Sequence, residues 1–119
     1  MRRDIVITGG RDFDDEIMMS DVLNFIRPKL IYHGDCTGAD TLAQKWATEN
    51  NVKTKRYPVT PKEWATLGKK AGPLRNDKML SDAGFDAMVI AFPGGRGTAS
   101  CIKLAIAKNM MVMRVEDLE

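Results

Sequence analysis

Short apolar runs and amphipathic stretches alternate along the whole chain. The apolar or alternating runs predict strands over residues 5–8, 30–32, 53–57, 87–92 and 111–115. Apolar positions three and four residues apart predict helices over residues 14–26, 39–47, 74–82 and 98–108. Apolar strands that alternate with helices are typical of a parallel sheet covered by helices on both faces. We therefore expect one α/β domain over residues 1–119, with a mainly parallel sheet of about five strands.

Local signals refine the positions of the helices. Thr60 and Glu63 bracket Pro61 in the pattern of a capping box, which predicts a further short helix that begins there. The pair Gly72-Pro73 predicts a break in the chain before the helix over residues 74–82. Trp46 lies on the apolar stripe of the second helix, so we place it in the core.

Three strand-to-helix turns are rich in glycine. They cover residues 8–11, 33–38 and 93–98, after the first, second and fourth predicted strands. Right-handed crossovers bring such turns to one edge of a parallel sheet. Glycine lets the backbone approach a ligand, and the helix N-termini that follow present free N–H groups to phosphate. The turns therefore predict a phosphate site, although neither GxGxxG nor GxxxxGK[ST] occurs.

Composition narrows the classes of protein that remain. The chain has 119 residues, of which 44% are hydrophobic and 29% charged, as expected for one globular domain. Two cysteines and one histidine exclude the common zinc sites within one chain, and we expect no metal or other cofactor. No apolar run is long enough for a membrane span or a signal peptide, so we expect a cytoplasmic protein with reduced thiols.

Charge is uneven along the chain although the net charge is only +2. Residues 53–78 hold 8 basic and 2 acidic residues, which is a local charge of +6. Such a patch concentrates anionic ligands such as phosphates, and it equally suits a solvated face that keeps a protein soluble. The patch alone does not decide between these two interpretations.

Four segments carry a resemblance to a known family. ITGGRDF (7–13), HGDCTGAD (33–40), AGPLRNDKML (71–80) and AFPGGRGTASC (91–101) resemble the YspA/cpYpsA-related family of the SLOG superfamily. The resemblance follows the same order along the chain and spans nearly all of it. It implies a Rossmann-like fold and the binding of a nucleotide or a nucleotide-derived ligand.

The Lonely Guy (LOG) branch of this superfamily makes the resemblance more specific. These enzymes hydrolyse cytokinin nucleotide monophosphates, and they carry Arg-Lys-x-x-Met and Pro-Gly-Gly-x-Gly-Thr-x-x-Glu motifs. Arg75 and Met79 match the first motif, and residues 93–98 match the second. The position of the catalytic Glu is Cys101, and a thiol cannot stabilise an oxocarbenium-like centre as a carboxylate does. The resemblance thus supports a phosphate and ribose site more than a hydrolase, and it implies a homo-oligomer.

The turns and the resemblance together define an expected site. The predicted ligand-binding residues are Gly9, Gly10, Arg11, Gly34, Gly38, Arg75, Asn76, Gly94, Gly95, Arg96, Gly97 and Thr98. The candidates for a catalytic role are Asp12, Asp35, Asp40 and Arg75, although aspartates at helix starts are commonly caps.

Three further side chains have two interpretations each. Trp64 is interpreted first as a residue that caps the core, and the alternative is that it stacks on a base. His33 is interpreted as a hydrogen-bonded structural residue, with an acid or base role as the alternative. Cys101 is expected to pack in the core, although an early helical position can lower the pKa of a thiol.

These observations leave three functions in order of preference. The first is a small SLOG-type domain that binds a nucleotide or a nucleotide-derived small molecule through its glycine-rich loops. The second is a nucleoside-monophosphate N-glycosidase or phosphoribohydrolase, in which another acid replaces the lost Glu. The weakest is a nucleic-acid-binding module that uses residues 53–78, because these residues lack the interleaved aromatics of a single-strand track.

Overall fold

All strands lie in one parallel sheet. The computed structural model describes residues 3–118. Within them, the strands are β1 (Asp4–Thr8), β2 (Leu30–His33), β3 (Lys53–Arg56), β4 (Met88–Ala91) and β5 (Met111–Arg114). Their order across the sheet is β3-β2-β1-β4-β5, and every neighbouring pair is parallel. The predicted Rossmann-like α/β fold with five strands is therefore confirmed.

Helices connect the strands. They are α1 (Glu16–Ile26), α2 (Ala39–Glu49), α3 (Pro61–Leu67), α4 (Ala71–Ala83) and α5 (Arg96–Ala107), with short 3-10 turns at Gly68–Lys70 and Val115–Leu118. Asp15 caps α1, because its side chain accepts a hydrogen bond from the Met18 N–H at 2.9 Å. The predicted capping box of Thr60 and Glu63 is confirmed at the start of α3. Among residues 3–118, no helix is both long enough and apolar enough to cross a membrane.

The predicted break at Gly72-Pro73 is wrong. Both residues lie in the first turn of α4, which begins at Ala71 directly after the 3-10 turn. The first N–H groups of a helix have no intrahelical partner, so the missing N–H of Pro73 removes no helical hydrogen bond. The consequence is a longer α4, whose first turn lies beside the cleft described below.

The core has two halves, one on each face of the sheet. Successive side chains of β1 point to opposite faces. Ile5 and Ile7 pack in a cluster to which α1 and α2 contribute Met19, Leu23, Ala43 and Trp46. Val6 packs in a second cluster to which α4 and α5 contribute Met79, Leu80, Cys101 and Ala105. The predicted core position of Trp46 is confirmed.

The order of the strands locates the functional edge. The chain runs outward from β1 through β2 to β3, and then returns to place β4 on the other side of β1. In open sheets of this kind, ligands bind beyond the carboxyl ends of the two strands between which the order reverses. Here those two strands are β1 and β4, and each is followed by a glycine-rich turn.

Candidate functional site

The three glycine turns meet at one cleft. Its volume is about 1010 Å³, and residues from the turns after β1, β2 and β4 line it together with parts of α3 and α4. The Gly10 N–H donates to the Pro93 carbonyl at 2.9 Å, and the Ala39 N–H donates to the Gly10 carbonyl at 3.1 Å. The first turn is thus hydrogen-bonded to the turn after β4 and to the first residue of α2, which directly follows the second turn. The three turns together form the floor of the cleft.

Two of the glycines are required by contacts inside this floor. Gly38 has a φ of +79°, and a Cβ at this position would overlap the Gly10 carbonyl oxygen. A Cβ at Gly94 would overlap the Thr98 hydroxyl and lie 2.6 Å from the Gly10 nitrogen. These glycines allow the turns to touch one another.

Gly95 and Gly97 differ, because a Cβ at either position would meet no heavy atom within 4 Å. Both glycines line the cleft. The backbone of the turn is therefore not covered by a side chain at these two positions.

The N-terminus of α5 opens into the cleft at the same place. Gly95 is the N-cap, and the first helical hydrogen bond runs from the Ala99 N–H to the Gly95 carbonyl at 3.0 Å. The N–H groups of residues 96–98 precede this bond and have no carbonyl partner within the helix. Together with the positive end of the helix dipole, they form a suitable site for an anion.

Arg75 links two parts of the site. Its Nη1 donates to the carbonyls of Gly34 at 2.6 Å and Tyr57 at 2.8 Å, and its Nε donates to Asn76 Oδ1 at 2.8 Å. A Cβ at Gly34 would overlap the guanidinium, so this glycine is needed for the contact. Arg75 thereby holds the second turn against the residue that follows β3. The guanidinium also lines the cleft, and its predicted contact with a phosphate stays a prediction.

Asp40 is hydrogen-bonded to the backbone of the second turn. Its buried carboxylate accepts N–H bonds from Gly34 at 3.1 Å and Cys36 at 3.2 Å. Burial raises the pKa of Asp40, and this effect outweighs the lowering of the pKa by the Cys36 N–H and by the charges of His33 and Arg75. Asp40 does not cap α2, whose N-cap is Gly38.

The other predicted acids have different positions. Asp12 is exposed and lines the cleft, whereas Asp35 is exposed and is not among the lining residues. Gly38 also lies outside the lining, where it packs against the backbone of Gly10 and Arg11. The remaining predicted ligand-binding residues all line the cleft.

His33 has the structural role that was predicted. It is fully buried at the end of β2, its Nε2 lies 2.8 Å from Gln44 Oε1, and its Nδ1 accepts the Asp35 N–H at 3.0 Å. The contact with Gln44 and the bond from the Asp35 N–H fix the orientation of the ring. The ring therefore helps to shape the second turn.

Cys101 occupies the position of the catalytic Glu of LOG enzymes, and it lies in the core. Cys101 is fully buried, and burial raises the pKa of its thiol to about 11, so the thiol is protonated at neutral pH. The expected packing of Cys101 is confirmed, and its position early in α5 does not lower the pKa of the thiol. Cys36 instead lines the cleft and is partly exposed.

The two thiols should therefore differ sharply in reactivity. We expect a disulfide reagent at pH 8 to label Cys36 in the native protein and both cysteines after unfolding in urea, because reaction requires an accessible thiolate. Absorbance of the released thiolate counts the labelled groups, and the variant Cys36→Ser serves as the control. Rapid labelling of this variant while it is folded would contradict the buried position of Cys101.

Side chains of both charges surround the cleft. Within residues 3–118, the cations that line it are Arg11, Lys69, Arg75 and Arg96, and the acids are Asp12, Asp14 and Asp40. Lys69 and Arg75 are the two basic residues of the segment 53–78 in this lining. Lys53, Lys55 and Arg56 lie on the edge strand β3, where charges prevent pairing with another sheet.

Sequence reasoning misplaced Trp64 and missed several lining residues. Trp64 is 40% exposed and belongs to neither core cluster, so the core-capping interpretation is wrong. It lines the cleft instead. Phe13, Cys36 and Lys69 also line it and were not predicted. Phe13 and Cys36 lie within or beside glycine turns, which is the signal that could have identified them.

Comparisons with known proteins agree with this architecture. The profile of the family described as YAcAr (YspA, cpYpsA-related SLOG family) matches residues 3–64. The Gene 61 protein of Mycobacterium phage D29 is 35% identical over 128 aligned positions, which cover 98% of each chain. The chain belongs to the YspA, cpYpsA-related SLOG family. The matched residues include the first two glycine turns, so these turns of the cleft are part of the SLOG domain.

A solved structure supports the fold of this SLOG domain. The X-ray structure of DNA processing protein A (DprA) from Streptococcus pneumoniae matches with a TM-score of 0.51 and 19% identity. The match covers 98% of this chain and 60% of the DprA chain. The SLOG domain thus spans less than two thirds of that protein, and the likeness concerns the fold alone.

Proposed function

We propose that this SLOG domain binds a nucleotide or a nucleotide-derived small molecule in the cleft between its glycine turns. One observation carries the proposal. The turns after β1 and β4 are hydrogen-bonded to each other where the strand order reverses, and Gly95 and Gly97, where a Cβ would meet no heavy atom, line the cleft at the N-terminus of α5. A phosphate at this point would accept N–H bonds from residues 96–98.

The charge of the cleft supports the same ligand class. Arg96 is the first residue of α5 and Arg11 is the last residue of the first turn, and both line the cleft. Hydrogen bonds between charged groups contribute about 1.5–3 kcal/mol each, roughly twice as much as neutral ones. The carboxylate of Asp12 is a suitable acceptor for ribose hydroxyl groups at the same edge.

Calorimetric titration tests the proposal directly. The ligands are AMP, GMP, CMP, UMP and ribose 5-phosphate, and adenosine is the matched compound without a phosphate. We expect saturable binding of at least one monophosphate, and affinity for adenosine at least tenfold weaker than for AMP, because the phosphate contacts are lost. Equal affinities for adenosine and AMP would contradict a phosphate site at the turn after β4.

N-glycosidic hydrolysis is the second candidate function, and it rests on Asp40. Asp40 lines the cleft, and burial raises the pKa of its carboxyl, which is the direction that general-acid catalysis requires of an aspartate. Release of free base from each monophosphate, measured by chromatography, distinguishes hydrolysis from binding. Loss of that release in Asp40→Asn, while monophosphate binding is kept, would assign the acid.

Nucleic acid is the less favoured ligand, and a titration with an oligonucleotide tests for it. Binding of single-stranded DNA through residues 53–78 would weaken steeply as salt rises, because counterions are released from the phosphates. Titration of an oligonucleotide at two salt concentrations measures this dependence. Tight, salt-dependent binding of the oligonucleotide without monophosphate binding would favour the nucleic-acid function.

A further inference from the structure

Trp64 is an aromatic side chain that the fold leaves outside its core. Residues 61–70 are all exposed, and α3 buries none of its side chains. The other tryptophan, Trp46, is 8% exposed and donates its indole N–H to Asn24 at 3.0 Å. An indole is among the largest apolar groups that a protein can bury. Its position at the wall of the cleft calls for a reason other than core packing.

The indole nevertheless lies against two neighbouring parts of the chain, the first turn of α4 and Arg11. The capping box at Thr60 and Glu63 defines the start of α3, one turn before Trp64. A Cβ at Gly72 would lie 3.8 Å from the Trp64 Cη2 atom, so the ring edge lies against the first turn of α4. The Arg11 guanidinium lies over the ring, with its Cζ atom 5.9 Å from the ring centroid. A flat side chain positioned before binding loses less entropy when a ligand stacks on it.

The size of the cleft leaves room for more than a phosphosugar. Small-molecule sites commonly have volumes of about 300–1000 Å³, and this cleft has about 1010 Å³. Trp64 and Arg11 line the same cleft as the turn over residues 94–98. A phosphate at that turn therefore leaves space in which the remainder of a nucleotide can extend along the wall that carries the indole.

We propose that Trp64, together with Arg11, forms a stacking platform for the base of the bound nucleotide. This inference rests on the proposed function and adds that the ligand carries an aromatic base. Indole and guanidinium planes both stack on nucleobases, and every base offers a π-face to them. The platform therefore favours nucleotides over phosphosugars without selecting strongly among the four bases.

The test compares two ligands on matched variants. AMP and ribose 5-phosphate share the sugar phosphate and differ in the base. Both are titrated into the wild type, Trp64→Ala, Trp64→Phe and Leu67→Ala. Leu67 is the control, because it lies on the same helix, is 39% exposed and is not among the lining residues. Circular dichroism confirms that each variant is folded.

The expected pattern is specific to the base. Trp64→Ala should weaken AMP binding at least roughly fivefold, the lower limit for loss of one stacked base, while affinity for ribose 5-phosphate stays within twofold. Trp64→Phe should keep most of the affinity for AMP, and Leu67→Ala should change neither ligand. In addition, AMP should quench the tryptophan fluorescence of the wild type and not that of Trp64→Phe.

Three results would overturn the inference in distinguishable ways. If Trp64→Ala weakens both ligands equally, the indole supports the fold and does not contact a base. If the wild type binds AMP and ribose 5-phosphate equally well and Trp64→Ala changes neither affinity, the platform is wrong while the phosphate site stands. If the wild type binds none of AMP, UMP and ribose 5-phosphate, the proposed function is wrong, and the stacking platform that rests on it is wrong as well.

Discussion

Replacement of Gly95 by aspartate is expected to abolish nucleotide binding while the domain stays folded. The new carboxylate would lie at the N-cap of α5, where the proposed phosphate accepts its hydrogen bonds. Placing like charges together costs several kcal/mol, and each step of about 1.4 kcal/mol lowers affinity tenfold. We therefore expect AMP affinity to fall by about 100-fold or more.

The fold should tolerate this substitution. A Cβ at Gly95 meets no heavy atom within 4 Å, and aspartate is a favoured N-cap residue. The free energy of unfolding in urea should therefore stay within about 1 kcal/mol of the wild type.

Gly95→Asn is the matched control, because asparagine has the same shape without the charge. Calorimetry should give a much smaller loss of AMP affinity for this variant. Equal losses for aspartate and asparagine would mean that the side chain blocks the site by its volume, and undiminished binding to both would remove the site from this turn.

Replacement of Gly38 by alanine is expected to have the largest effect on stability. Gly38 has φ and ψ of 79° and −125°, a conformation that side chains disfavour by about 1–3 kcal/mol. Its Cβ would also overlap the Gly10 carbonyl, and forcing such a contact typically costs a further 1–3 kcal/mol, approximately. We expect a total loss of about 2–6 kcal/mol in the free energy of unfolding.

Gly68 provides the control for backbone strain. Its φ and ψ are 57° and −133°, close to those of Gly38, but a Cβ there meets no heavy atom within 4 Å. Gly68→Ala should therefore cost only the strain, about 1–3 kcal/mol. Urea unfolding of both variants measures the two losses in the free energy of unfolding. The difference between them is the cost of the overlap between the new Cβ at position 38 and the Gly10 carbonyl. Equal losses would show that the close contact of these turns does not limit stability.

The central strands could be predicted because both of their faces are buried. Ile5, Val6 and Ile7 are all buried, since helices cover both faces of β1, and burial on both faces requires a continuous apolar run. The right-handed crossovers of a parallel sheet placed the three glycine turns at one edge. The edge strand β3 is mostly exposed, and it was identified from the alternation of residues 53–57.

The start of α4 could not be predicted because its local signals have two interpretations. Gly72-Pro73 is equally compatible with a loop and with the first turn of a helix, where a proline loses no hydrogen bond. The 3-10 turn at Gly68–Lys70 leads directly into α4 and decides between them. That turn carries no strong sequence signal of its own.

The details of the site depend on contacts between distant residues. Arg75 bonds the Gly34 carbonyl across a separation of 41 residues, and Arg11 lies over Trp64 although the two residues belong to different elements. No spacing rule along the chain encodes such pairs. Sequence reasoning could therefore select the residues around the cleft, but it could not separate Asp40, which holds the second turn, from Asp35, which lies outside the lining.

Amide chemical shifts show most directly whether a phosphate binds at the turn after β4. AMP is titrated into ¹⁵N-labelled protein, and the backbone N–H signals are followed to saturation. We expect the largest shifts at residues 95–98, smaller shifts at Gly9 and Gly10, and loss of these shifts in Gly95→Asp. Saturable shifts confined to the basic strand β3, or no shifts with any monophosphate, would rule out a phosphate site at this turn.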